Sequence, residues 1–243
     1  MLLVITIGIA LAVQAGAEPM RVTVPTIGCP ADGQVGPIPP PRSSPRAVAL
    51  DAATAQQVAF YEGGVGPGVF APRGWHCQVS YGSAGSDIVV TPAPIDSAGN
   101  PQMKIRGEAV MSTYHEGGTS GRFAVAGFGR LLFPHAAAKF IESVESEDLV
   151  PESDFTFGPY PFDVVKHLDS VTAEFTTPAN KAGLGTESNL VPSQEAIRGI
   201  AVLDTHADWR LTILRVRLGP NHRRLEGTIL RLNKKWMQRT AHR

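Results

Sequence analysis

The chain reads as a single α+β domain, an antiparallel sheet with helices packed on it. Three observations carry this reading. Short segments of strand character recur between turn-rich stretches, in keeping with 25 glycines and 20 prolines among 243 residues. The last third holds a strand–turn–strand pattern followed by an amphipathic helix. No stretch of the body is biased enough in composition to divide it. Apolar content is 43%, ordinary for a globular chain of a length that buries a real core.

Each element follows from local pattern. Asp51 is placed to cap a helix running to about Tyr61, with Ala55, Val58, Ala59 and Glu62 on one face. Residues 63–68 are glycine-rich and end it. They follow a helix and lack a Gly-Lys-Ser/Thr ending, so they read as a turn and not a phosphate loop. Strands are expected over 69–81, 87–91, 108–114 and 122–128. Pro134 starts a helix, and Ala137, Phe140, Ile141 and Val144 form its apolar stripe. Val171, Ala173, Phe175 and Thr177 alternate as in a half-buried strand.

Residues 200–204 and 209–218 bracket Thr205-His206-Ala207-Asp208 as a hairpin. In its second strand Trp209, Leu211 and Ile213 share a face, and then Leu214, Val216 and Leu218 take over the apolar phase. That switch predicts a bulge or a strand buried on both faces. A helix over 221–236 carries Leu225, Ile229, Leu232 and Trp236 as its stripe. Arg223, Arg224, Arg231, Lys234 and Lys235 fill the rest, the pattern of a helix laid on a sheet with long basic stems at its edge.

Three zones are expected along the chain. Residues 1–17 read as a signal peptide: they carry no charged side chain, residues 2–13 are apolar, and Ala15-Gly16-Ala17 precedes Glu18. The apolar run is too short for a stable membrane-spanning helix. The mature chain is therefore expected in the periplasm or outside the cell, without stable membrane insertion. Residues 18–46 read as an extended Pro/Gly-rich lead-in with no regular element, and 47–243 as the α+β domain. In an oxidising compartment Cys29 and Cys77 can pair. A reactive thiol is disfavoured, because His76 and Cys77 are strand neighbours and point to opposite faces.

Charge narrows the partners. Lys and Arg total 22, as do Asp and Glu, so no overall field recruits nucleic acid or an anionic membrane. The distribution is uneven. From Glu142 to Glu174 there are nine acidic residues and one basic; from Arg198 to Arg243 there are eleven basic and three acidic. The expectation is that these segments neutralise one another or form solvated faces. The alternative is an anion-facing patch near the C-terminus.

Chemistry-bearing motifs are sparse. No two of the seven histidines have helical metal-pair spacing, no calcium loop is present, and no cofactor is implied. Ser120, with His115 nearby, is the nearest approach to a nucleophile and base. The Gly-x-Ser-x-Gly elbow is absent, however, so a polar glycine turn is expected there. Arg73, Trp75 and Tyr81 are the candidate binding surface beside the cystine.

The segment Phe70-Ala71-Pro72-Arg73-Gly74-Trp75-His76-Cys77, then Tyr81-Gly82-Ser83, resembles a signature in uncharacterised secreted bacterial proteins. Gly28-Cys29-Pro30-Ala31-Asp32-Gly33 resembles its upstream companion. The matching pieces cover well under a fifth of the chain. The resemblance implies a bacterial, exported protein with a Cys29–Cys77 pair, and no catalytic residue comes with it. The segment ending Pro72-Arg73-Gly74-Trp75 and the terminal hairpin–helix also resemble the PsbP/Mog1-like type, which implies an α/β/α sandwich and says nothing of activity. The expected function is a non-enzymatic binding or accessory domain of the bacterial envelope, its partner an envelope protein or small ligand. The alternative is an exported hydrolase, whose site would be a pocket with a shifted histidine or carboxylate beside a nucleophile.

Overall fold

The computed structural model describes residues 20–95, 104–206 and 208–241; the expected signal segment, 1–17, lies outside them. β structure begins at the first described residue. β1 (Met20–Val24) runs antiparallel to β4 (Arg46–Leu50), with Arg21 opposite Ala49 and Val24 opposite Arg46. Between them the chain makes an excursion. β2 (Thr26–Gly28) and β3 (Ala31–Gly33) each add in parallel to a strand of the body. Cys29 is buried at the middle of the excursion and is disulfide-bonded to Cys77, with Cα atoms 5.4 Å apart. The expectation of no regular element over 18–46 is thus corrected. A proline removes only its own N–H from a ladder, and the strands use the residues on either side of the proline run.

The helix expected from Asp51 is a single turn, α1 (Ala52–Ala55). The Asp51 carboxylate accepts from the Thr54 N–H at 2.8 Å. The chain then becomes β5 (Val58–Glu62), in which Val58, Ala59, Phe60 and Tyr61 are wholly buried. A short continuous apolar run suits a strand covered on both faces as well as a helix, and burial decides for the strand here. A glycine-bearing turn leads to β6 (Val69–Pro72), and β2-β5-β6 form a small sheet. The strand expected over 69–81 is two strands, broken at Gly74, whose φ of 85° lies in the left-handed region.

β7 (His76–Gly82), β8 (Gly85–Thr91) and β9 (Ala109–Glu116) form an antiparallel meander. Residues 122–128, expected as a strand, open α2 (Arg122–Leu132). The small residues that blur its periodicity have a packing reason. A Cβ at Gly127 would sit 2.0 Å from the Phe155 carbonyl oxygen and 2.6 Å from the Phe157 ring. Glycine there lets Phe157 stack on Phe128, ring centroids 4.1 Å apart. After a turn at Pro134 comes α3 (Ala138–Ser146), which buries Phe140 and Val144.

β10 (Val164–His167), exposed at all four positions, is an edge strand with no clear sequence signal. β11 (Thr172–Thr177), β12 (Ile197–Asp204) and β13 (Arg210–Arg217) continue the main sheet, whose order is β10-β11-β12-β13-β9-β8-β7-β3. The sheet is antiparallel except at β3. β13 pairs without a bulge on both sides and is buried on both faces. α4 (Glu226–Thr240) follows.

The α+β class holds, with helices on both faces of the main sheet. Leu211 and Ile213 pack with α2 and α3, while Leu214 and Val216 pack with α4 and the small sheet. Among the described residues no helix is long and apolar enough to cross a membrane.

Candidate anion-binding cleft

A cavity of about 830 Å³ forms a cleft between the β1–β4 hairpin and α4. Residues 42–49 line one side, consecutive along the chain, with Arg21 beside them. Arg231, Leu232, Lys235, Trp236 and Arg239 line the other, and Glu62 and Phe70 lie between.

Local interactions fix both walls. Asn233 is 1% exposed. Its Oδ1 accepts from the Phe70 N–H, and its Nδ2 donates to the Phe70 and Ile229 carbonyls. The side-chain amide thus occupies the free edge of β6 as a strand would, and holds α4 against it. On the hairpin wall, the Arg46 guanidinium lies 3.9 Å from the Phe60 ring centroid and 4.5 Å from that of Trp236. Its Nη2 donates to Glu62 Oε2 at 2.5 Å.

The cleft is strongly basic. Arg21, Arg42, Arg46, Arg231, Lys235 and Arg239 face it, against one carboxylate, Glu62, which Arg46 already holds. Among the described residues the other five cations make no ion pair. Arg231, Lys235 and Arg239 are spaced i, i+4, i+8, so they stand on one face of α4. Two donors of lining residues, Arg46 Nε and Trp236 Nε1, are buried with no acceptor. Buried donors are almost always paired, so two orphans in one cleft mark hydrogen-bonding capacity that the chain itself does not use.

Of the two outcomes expected from the charge pattern, neutralisation or solvated faces, mutual neutralisation is the minor one. Among the described residues Lys234–Glu174 is the ion pair that joins the acidic and basic segments. Glu145, Glu147 and Glu152 instead pair with Arg122 and Arg130 of α2. The cleft escaped sequence reasoning because half of its cations come from the lead-in and half from α4. Only the row on α4 was visible as a helical spacing.

The sequence-derived surface residues lie apart. Arg73 is exposed at the turn between β6 and β7. Trp75 is 8% exposed and meets His222 edge-on, centroids 5.3 Å apart. Tyr81 stands at the far end of β7, where its hydroxyl donates to the Gly36 carbonyl at 2.6 Å. Cys29 and Cys77 form the disulfide. Ser120 Oγ lies 2.8 Å from Ser83 Oγ, and the His115 ring packs on Phe128, so no serine–histidine pair is assembled there.

A second polar group lies on the opposite face of the main sheet. Arg215 is wholly buried. It donates to the Leu184 and Glu187 carbonyls and to Thr113 Oγ1. Arg217 beside it donates to the carbonyls of Gly107, Val191 and Ile105. These two arginines explain the phase change in β13: they take the positions where the first apolar face would continue. A hollow of about 220 Å³ nearby holds Asp87, Thr113 and His115. Burial pushes the Asp87 carboxyl up, against the opposing Thr113 hydrogen bond and Arg215 charge. Burial, then the Arg215 charge, pulls His115 down to about 4. Among the described residues no cluster of three or more His, Cys, Asp or Glu is placed to hold a metal.

No protein family, curated protein or solved structure matches the chain.

Proposed function

We propose that this protein is an exported, non-enzymatic domain of the bacterial envelope that binds an anionic ligand in the cleft between the β1–β4 hairpin and α4. The observation that carries the reading is a cleft faced by six cations and one carboxylate, with two unmet donors, Arg46 Nε and Trp236 Nε1, buried in its wall. A buried donor without an acceptor costs about 1–3 kcal/mol. The unpaired cations supply the countercharge of a bound oxyanion; Arg46 Nε and Trp236 Nε1 lie beneath the cleft surface and reach it only if those two side chains shift. The disulfide supports export, since such bonds persist in oxidising compartments.

Calorimetric titration of the protein with sulfate, phosphate and pyrophosphate at low ionic strength tests the cleft. The expected result is binding that weakens as salt rises and is lost in the Arg231→Gln/Arg239→Gln variant. Equal binding by that variant removes the cleft from the function. A mass of the exported protein that starts at Glu18 and lacks two hydrogens supports the compartment; a full-length, reduced chain in the cytoplasm contradicts it.

A hydrolytic reading rests on a different observation, the hollow with its shifted Asp87 and His115. The hydroxyl that contacts Asp87 belongs to Thr113, whose oxygen already accepts from Arg215 Nη1. Asp87 Oδ1 is left without a partner, but the hydroxyl is already committed to Asp87 and Arg215 and is not an activated nucleophile, which favours the binding function.

A further inference from the structure

We infer, building on the anion-binding reading of the cleft, that its occupant is an acidic peptide segment in extended conformation, added as a strand to the free edge of β4. Three features of the cleft point to this class of ligand.

The first is the edge. Among the described residues β4 pairs with β1 alone, and the main-chain N–H and C=O groups on its other edge have no strand partner there. Residues Arg46, Ala47, Val48 and Ala49 all line the cleft, although side chains alternate between faces along a strand. Four consecutive residues can border one cavity when the strand presents its edge to it. A strand edge offers donors and acceptors in alternation, which a second peptide main chain matches and an anionic polymer does not.

The second is the spacing of charge. On α4, Arg231, Lys235 and Arg239 recur every four residues, about 6 Å apart along the axis. Alternate side chains of a strand recur about 6.8 Å apart. A segment with acidic residues at every second position would present carboxylates to that row while its main chain pairs with β4. The two repeats stay in step over three charges, the length of the row.

The third is the state of the aromatic rings. The Arg46 guanidinium covers both Phe60 and Trp236, and Phe70 is 4% exposed. Single-stranded nucleic acid binds basic grooves by stacking bases on exposed rings. In this cleft Phe60 and Phe70 are buried and Arg46 covers one side of Trp236, so its charge is better suited to carboxylates.

The test uses the mature protein and five probes: an alternating Asp-Val peptide, the same peptide N-methylated at alternate residues, a peptide of equal composition with its aspartates in one block, a heparin oligosaccharide and pyrophosphate. Binding is followed by calorimetry and by hydrogen exchange at β4. The alternating peptide is expected to bind at least about tenfold more tightly than the methylated and blocked peptides, because these lose main-chain bonds or charge register. It should slow exchange at the β4 amides that do not pair with β1. Arg231→Gln/Arg239→Gln should weaken it by about tenfold or more, while Lys181→Gln, whose ammonium lies over Phe162 outside the cleft, should not.

Equal binding of the methylated peptide overturns strand addition. Heparin binding more tightly than the alternating peptide, with β4 exchange unchanged, overturns the peptide in favour of a polysaccharide. Pyrophosphate binding without peptide binding leaves the anion cleft standing and sinks this inference alone. No binding by any probe sinks both.

Discussion

Two groups of arginines separate structure from function in this protein. Arg215 and Arg217, on the α2–α3 face of the main sheet, are buried, and every guanidinium nitrogen has a partner: five main-chain carbonyls and the Thr113 hydroxyl accept from them. The arginines of the cleft, on the α4 side, are half-buried or exposed, and Arg46 Nε lies buried with nothing to donate to. The contrast teaches that positive charge alone does not mark a site. A saturated cation is a staple, and here it clamps the loops at 105–107 and 184–191 onto the sheet. An unsaturated one holds binding capacity in reserve.

The largest test of that contrast is Arg215→Met. Two buried acceptors and one part-buried acceptor lose their partner at about 1–3 kcal/mol each. Relief of the buried charge offsets part of this, and a net loss of about 4–5 kcal/mol is expected in denaturant unfolding. Arg215→Lys should recover little, since an ammonium cannot reproduce the planar fork that reaches all three acceptors. A loss below about 1 kcal/mol, the level of ordinary surface substitutions, would show that Arg215 is no staple.

Cys77→Ala tests the contrast from the cleft side. The disulfide joins residues 48 apart in sequence and anchors the excursion that ends in the β1–β4 hairpin. Closing such a loop contributes about 4 kcal/mol in the chain-entropy view. The variant should lose about that much stability, read as a fall in Tm, and should bind anions more weakly, because the hairpin carries Arg21 and Arg46. Full anion affinity in a destabilised variant would show that the hairpin wall holds its place without the bond.

What was legible beforehand follows the range of the interactions involved. The C-terminal hairpin and α4 announce themselves because their patterns are local and amphipathic. Residues 58–61 and 122–128 were exchanged between helix and strand. In the first, apolar side chains are covered on both faces and show no period. In the second, Gly127 and Gly129 serve close contacts with Phe155, Phe157 and Ala137 that no local pattern reveals. The strands at 20–50 pair with partners far along the chain, so a proline-rich composition read as a tail. The cleft shares that fate: its walls meet only through a fold in which residue 46 lies against residue 236. The burial of Arg215 and Arg217 could have been glimpsed, since they sit at alternate positions of an otherwise apolar strand.

The saturated cluster also predicts an acid response. His115 titrates at about 4 in the folded protein against 6.5 when exposed, because burial and then the Arg215 charge oppose its protonation. The unfolded chain therefore binds this proton first. Stability from His115 is fully present above pH 6.5 and is lost as pH falls toward 4, by about 3 kcal/mol at most. Asp87 acts in the opposite sense: its carboxyl is raised, so the folded state takes up that proton first. Comparing unfolding curves of the wild type and His115→Gln across this window isolates the histidine. The variant should show the shallower acid decline, and parallel curves would mean that His115 is solvated.

The smallest effect on stability is expected where the effect on binding is greatest. Replacing Arg231, Lys235 and Arg239 together with glutamine removes three cations that make no ion pair among the described residues. Like charges four residues apart on a helix repel by a few tenths of a kcal/mol, about 0.2–0.5 per pair, so the triple variant should melt at the wild-type temperature or slightly above it. Its solvent-exposed stems carry little core packing, and each site should stay within about 0.5 kcal/mol of neutral. Anion binding should disappear in the same sample. A variant that instead melted markedly lower would show that these side chains clamp the cleft closed as Arg215 clamps its loops. The two groups of arginines would then differ in place and not in kind.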